Sequence, residues 1–256
     1  MIIEPRKRLV LISAGQSNID GRNPLAELPA PITLPMTHVH YCSNYTAGHA
    51  QGRFQPAITA DDLSAKRWGF DLATYYYLSQ VANYDLYVMK CSEGGTSIDV
   101  TGESADHWTA DVGQLSDPRH SLLRQLQALV AACQRTTPAV QTVHAMLWHQ
   151  GEGDRADFSP AASAHYYDNL KAFFAACRET VRQPQLPIFC GTVSHRSTQY
   201  DPQVEASLLR LARADPNLHV IDLKDATLRD NFHFDPTSSV AFGKALYEVM
   251  RENLRV

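Results

Sequence analysis

Four short segments of the chain carry residue types that can do chemistry: Gly15-Gln16-Ser17-Asn18, Cys91 to Ser97 (CSEGGTS), Trp148 to Asp154 (WHQGEGD) and Asp230-Asn231-Phe232-His233. Acyl transfer needs a nucleophile, a base, a group that orients the base, and donors for the oxyanion. Ser17 can supply the first, with its own N–H available to an oxyanion. Asp230 and His233 are three residues apart, so a turn can bring one ring nitrogen onto the carboxylate while the other faces Ser17. The chain order Ser, Asp, His suits that logic. Gly94 can bring a bare N–H close to a substrate because no side chain blocks the approach. Gln150 can donate a side-chain N–H to the same oxygen.

Each signal alone has an ordinary explanation. A Ser after a strand is commonly a helix cap, Gly94-Gly95 reads as a turn, D-x-x-H pairs occur on many loops, and Gln150 could be a satisfied core amide. Their weight comes from position. The run Leu9–Ala14 reads as a buried strand ending at Gly15, and Leu86–Met89, Val143–Trp148, Pro187–Val193 and Leu218–Leu223 read as four more. Between them, helical patterns cover Phe70–Val81, Arg119–Gln134, Pro160–Arg182 and Pro202–Ala214, with a last helix at about 237–253. Alternating strands and helices imply right-handed crossovers and a parallel sheet covered on both faces. Ligands bind such sheets beyond the carboxyl ends of the strands, where all four segments fall. Residues 23–66 are polar and weakly patterned, and are expected as a long loop insertion, either a wall of the substrate site or a surface excursion. The expectation is one domain over residues 1–256.

Composition narrows the function classes. Hydrophobic residues at 44% and charged residues at 20% suit a folded globular chain, and the net charge of −4 gives no basic surplus for a nucleic-acid backbone. No apolar run approaches the length of a membrane helix, so neither nucleic acid nor membrane is expected as a partner. The five Cys are scattered, with no C-x-x-C pair, which suits a reducing compartment. The expectation is therefore cytoplasmic, or secreted if a leader has been removed. Oligomeric state has no signature in the sequence.

The four segments together resemble the SGNH (GDSL-like) hydrolase superfamily, and within it the carbohydrate esterase branch that includes sialate O-acetylesterases and acetylxylan-type esterases. Gly15, Gln16, Ser17, Asn18 and Gly21 match its G-Q-S-N-x-x-G block; Gly94 to Ile98 match G-G-T-S-I. Trp148, Gln150, Gly151, Glu152 and Asp154 match W-x-Q-G-E-x-D, and Asp230 and His233 match D-x-x-H. The resemblance implies a three-layer α/β/α sandwich around a mainly five-stranded parallel sheet, and a serine esterase without cofactor or metal. It implies Ser17 as nucleophile, His233 as base and Asp230 as its orienter. The oxyanion hole would be the Ser17 N–H, the Gly94 N–H and the Gln150 side chain, and the substrate an acetylated carbohydrate. Asp20 and His149 depart from the residue types common at their positions and bear on substrate preference.

The remaining residues are read as follows. Glu152 is expected beneath the rim, fixing Gln150 or nearby N–H groups, and Asp154 is expected to cap the following turn. Ile19 stands where a G-x-S-x-G elbow would have its final Gly, which argues against the α/β-hydrolase fold. His38 and His40 form an H-x-H with no carboxylate at a recognisable spacing. Tyr75-Tyr76-Tyr77 falls in a helical pattern as partial core. Trp68, Trp108 and Tyr45 either offer ring faces to a sugar or pack normally. Two other functions are weighed: metal-assisted hydrolysis through His149, Glu152, Asp154 and His233, and carbohydrate binding without catalysis.

Overall fold

The computed structural model describes residues 5–254. The chain runs β1 (Lys7–Gly15), α1 (Ser17–Asp20), β2 (Asn23–Pro24), β3 (Met36–Ser43), β4 (Gln55–Ile58), β5 (Arg67–Trp68), α2 (Phe70–Tyr76) and β6 (Tyr84–Ser92). It continues through α3 (Leu122–Thr136), β7 (Ala145–His149), α4 (Pro160–Thr180), β8 (Ile188–Gly191), α5 (Pro202–Ala214), β9 (Leu218–Ile221) and α6 (Pro236–Asn253). The main sheet has the order β4-β3-β6-β1-β7-β8-β9. Every pairing in it is parallel except β3 with β4.

Side-chain alternation along β1 shows how the sheet is covered. Val10, Ile12 and Ala14 pack into a core with α3, α4 and α5, through residues such as Leu126, Phe173 and Leu208. Leu9 and Leu11 point the other way, into a core shared with α2 and α6 through Phe70, Leu72 and Leu246. The result is the expected three-layer α/β/α sandwich, and all five expected strands are present.

The loop assigned to 23–66 needs correction. It contains β3 and β4, which extend the sheet at one edge, and β2, which pairs with β5 in a separate two-stranded ribbon. β3 eluded the periodicity because its burial is irregular, His38 has a φ of +61°, and its pairing with β4 shifts register between Thr37 and Tyr41. β4 is a four-residue edge strand carrying a Pro, where a missing N–H costs little. The helix expected over Phe70–Val81 is α-helical only to Tyr76 and continues as one π-turn over Tyr77–Val81. α3 starts three residues later than expected, because Ser121 accepts from Arg124 N as its N-cap.

One buried ion pair ties the layers together near the site. Lys90 of β6 donates to Asp71 of α2 at 2.7 Å, and both side chains are almost fully enclosed. The same ammonium donates to the Ile19 carbonyl at 2.7 Å, anchoring the turn that follows β1.

Candidate active site

β6, β1 and β7 are neighbours, and each stops just before a segment of interest: Ser92 precedes Gly94, Gly15 precedes Ser17, and His149 precedes Gln150. β1 is also where strand addition reverses direction, with β6 and β3 on one side and β7 to β9 on the other. Parallel sheets open a crevice at such a point.

The Ser17 turn is shaped by backbone. Gly15 has a φ of +138°, and a Cβ there would collide with the His149 carbonyl, so the position requires glycine. Gln16 N donates to that carbonyl at 2.9 Å, and the Gln16 carbonyl accepts from Ile19 N and Asp20 N. Ser17 thus sits at the tip of a single tight turn. Its N–H has no acceptor among the described residues.

Asp230 and His233 do meet. His233 Nδ1 lies 2.8 Å from Asp230 Oδ2, while Asp230 Oδ1 accepts from Phe232 N at 2.7 Å and His233 N at 2.8 Å. The carboxylate therefore builds the turn and orients the ring at once. Burial works to raise the Asp230 carboxyl, but the His233 ring and the two N–H groups outweigh it and hold it below its ordinary value.

No hydrogen bond joins Ser17 Oγ to the His233 ring among the described residues. Their segments are brought together by Asn18. Its Oδ1 accepts from Phe234 N at 2.9 Å and its Nδ2 lies 3.5 Å from the Phe232 carbonyl, so one residue beside Ser17 holds both neighbours of His233. Gly94 is adjacent too: a Cβ built on it would lie 3.5 Å from Ser17 Cβ and would collide with the Arg22 guanidinium. Arg22 Nη1 donates to Asp20 Oδ2 and to the Gly21 carbonyl, which lays the guanidinium over Gly94. Glu93 stands beside them, its carboxyl raised by burial and by Asp20 and Asp106, with Arg22 and the Gly94 N–H opposing.

Gln150 is held by groups within the protein. Its Nε2 donates to Asp154 Oδ2 at 2.6 Å and to the Thr96 carbonyl at 3.2 Å, which uses both hydrogens. Tyr166 OH donates to Gln150 Oε1 at 3.2 Å. In this arrangement the amide has no N–H to spare. Asp154 plays the part expected of Glu152, and Glu152, buried as expected, has other partners. Asp154 fixes Gln150 and also accepts from Ile98 N and Asp99 N, and burial pushes its carboxyl up to about 7. Glu152 does not touch Gln150; its Oε1 accepts from Asn18 Nδ2 at 2.9 Å and lies 3.3 Å from His149 Nε2.

The residues of the metal-assisted reading do not converge. His149 and Glu152 are sealed together below the rim, Asp154 is occupied by backbone donors, and His233 faces Asp230. Trp68 and Trp108 are wholly buried, with their indole N–H groups donating to the Pro24 carbonyl and Thr96 Oγ1, so they pack instead of offering ring faces. Tyr75 is buried, whereas Tyr76 and Tyr77 are half-buried. His38 and His40 share Asp85 as a partner, at 3.9 and 3.6 Å. A second Ser–His contact, Ser97 Oγ to His107 Nδ1 at 2.8 Å, is enclosed and ties the loop after β6 to itself. All five Cys are buried and unpaired, and no helix among the described residues is long and apolar enough to cross a membrane.

Sequence reasoning passed over Asn18 and Arg22. Asn18 lay inside a quoted motif, but its partners are 134 and 216 residues away along the chain, and local spacing carries no trace of them.

The chain is similar to several known proteins. A probable carbohydrate esterase of Arabidopsis thaliana, At4g34215, is 30% identical over 113 residues, a stretch covering 43% of this chain and 41% of that protein. Among solved structures, the Arabidopsis protein AT4G34215 superposes with a TM-score of 0.73 at 20% identity, covering 98% of this chain and all of that one. NanS superposes with a TM-score of 0.68 at 17% identity, covering 98% and 100%. A carbohydrate acetylesterase from Xanthomonas citri superposes with a TM-score of 0.65 at 14% identity, covering 95% of this chain and 55% of that one. These likenesses establish the fold. The model of the carbohydrate esterase, sialic acid-specific acetylesterase family matches residues 7–252, and the chain belongs to that family.

Proposed function

We propose that the protein is a serine esterase that removes O-acetyl groups from a carbohydrate through an acyl-enzyme, with an acetylxylan- or sialate-type glycan as substrate. The observation that carries this reading is the 2.8 Å bond from the His233 ring to Asp230, on a loop that Asn18 holds against the Ser17 turn. Family membership supports ester chemistry on a sugar.

Ser17 Oγ attacks the acetyl carbonyl while His233 Nε2 takes its proton. Asp230 keeps the other ring nitrogen protonated and stabilises the imidazolium that forms. The Ser17 and Gly94 N–H groups face the oxyanion, each worth roughly 3 kcal/mol of barrier. Gln150 joins them by releasing the Thr96 carbonyl, the longer of its two bonds. His233 then protonates the departing sugar hydroxyl, and water, deprotonated by the same ring, releases acetate. Phe232 is more than one-third exposed beside His233 and offers an apolar face for a sugar ring.

Ser17→Ala tests the reading. Acetate release from a small aryl acetate and from acetylated oligosaccharides should fall to background in a variant whose melting temperature is unchanged. Turnover within tenfold of the parent would overturn the assignment.

A further inference from the structure

We propose that Asn18 and Glu152, backed by His149, form a clasp that sets the position of His233 relative to Ser17. They are positioning residues that act on the base through its backbone. The inference rests on the Ser17–His233 reading above.

His233 sits on an irregular loop whose residues 229–232 are exposed, and the ring's hydrogen-bond partner, Asp230, lies on that same loop. Its neighbours on both sides are instead held from the Ser17 turn by one side chain. Asn18 Oδ1 accepts from Phe234 N at 2.9 Å, and Nδ2 faces the Phe232 carbonyl at 3.5 Å. An amide can do this in one orientation only. Rotated by half a turn, its NH2 would confront the Phe234 N–H and two donors would meet. Glu152 selects the correct orientation, because Oε1 accepts from Asn18 Nδ2 at 2.9 Å.

The clasp depends on Glu152 being charged in a place that disfavours charge. Glu152 and His149 are wholly buried, and His149 is ringed by Phe70, Phe234 and Phe242 at centroid distances of 5.3 to 5.7 Å. Burial works to raise the Glu152 carboxyl, but the imidazole 3.3 Å away and the Asn18 amide hold it below its ordinary value. Glu152 Oε2 has no partner, and neither ring nitrogen of His149 makes a well-formed hydrogen bond. An apolar cluster of this size would be at least as stable as a pair so poorly satisfied. Its presence is explained by what the charge does to Asn18. Phe234, which packs on His149, follows His233 directly, so the same cluster seats the loop from below.

The test separates positioning from folding by exchanging the two side chains. Asn18→Ala should lower kcat about 100-fold on a small acetate ester, the cost of a misplacement of about 1 Å. KM should stay within about threefold of the parent, since no substrate contact is lost. Glu152→Gln, which keeps the shape but lets either amide orientation persist, should lower kcat about tenfold by the same misplacement. Asn18→Asp should lower kcat like the alanine variant. Adding Glu152→Gln to Asn18→Asp replaces two opposed carboxylates by an amide–carboxylate bond with the roles reversed, while the carboxylate at position 18 still accepts from Phe234 N. The double variant should recover to within about tenfold of the parent, because the position is regained. Rates are read below the melting transition of every variant, with Ser17→Ala as the zero. The proposal fails if folded Asn18→Ala keeps kcat within threefold, or if the exchange restores the melting temperature without restoring kcat. Activity in Ser17→Ala would instead sink the nucleophile assignment on which the proposal stands.

Discussion

Replacing Asp230 by Asn probes the base without disturbing its loop, and the structure sets the size of the effect. The Asn oxygen can keep the two N–H groups of Phe232 and His233, now at 2.7 and 2.8 Å. Its NH2 then faces His233 Nδ1, which must accept, so the proton moves to Nε2 and the ring can no longer take one from Ser17. The competent tautomer needs the amide turned round, which orphans both backbone donors. At the lower end of the range for partly exposed groups this costs about 1 kcal/mol each, so about 2 kcal/mol or roughly 30-fold. The loss of a charged partner for the imidazolium removes about 2 kcal/mol more, another factor of about 30. The carboxylate is 43% exposed, so water screens part of its charge and the fall should stop short of the roughly ten-thousandfold loss seen when a buried triad Asp is so changed. The expected result for Asp230→Asn is a fall in kcat of about 1,000-fold with KM within threefold. The assay is initial-rate acetate release at neutral pH, with melting temperature measured in parallel. A fall of less than tenfold in a folded variant would refute the assignment of Asp230 as orienter.

Three further outcomes follow from the same geometry. Gln150→Ala should lower kcat about 100-fold with little change in KM if the amide reaches the oxyanion; a drop in melting temperature with kcat intact would leave Gln150 as packing for Asp154 and Tyr166. Lys90→Met strands the enclosed Asp71 carboxylate and should cost about 3–5 kcal/mol in urea unfolding, with loss of activity as the Ile19 anchor is released; a cost under 1 kcal/mol would count against it. Asp154 titrates at about 7 when folded and near 4 when unfolded, so the folded chain holds a proton the unfolded chain has already lost. Its contribution to stability is full below about pH 4 and declines as pH rises toward and through 7. Asp154→Asn should therefore show a smaller fall in melting temperature between pH 5 and 8 than the parent, and equal slopes would refute the buried-acid reading.

The strands that could be read from sequence are those buried on both faces. β1, β6, β7 and β8 are short apolar runs between turn signals, and a parallel sheet covered by helices demands that composition. β9, half-buried at the sheet edge, still announced itself through Leu218, Val220 and Ile221. The Pro at the first position of α5, with Asp201 capping Gln203 N and Val204 N, made that helix legible to the residue. β3 and β4 were not legible, because an edge ribbon with a bulge and a Pro has no period to detect.

The candidate site divides on a different line. The nearness of Gly94 to Ser17 was legible because each follows a strand, and the Asp230–His233 contact because the pair is local enough for spacing to predict it. The partners of Gln150, Glu152 and Asp154 were not legible although all three residues were identified. Three polar groups within five positions can partner one another in several ways, and the choice among them is made by segments far along the chain. Thr96 and the Ile98 N–H draw Gln150 and Asp154 to one side, while Asn18 draws Glu152 to the other. Both strand ends must be in place before either choice exists, so the assignment is a property of the β6-β1-β7 register and not of the W-x-Q-G-E-x-D block. Register is itself set by which faces of these strands are apolar, since a slip of one residue would turn Leu9 and Leu11 into the opposite layer. The hydrophobic alternation of β1 therefore decides which acid touches Asn18, and through Asn18 where His233 stands.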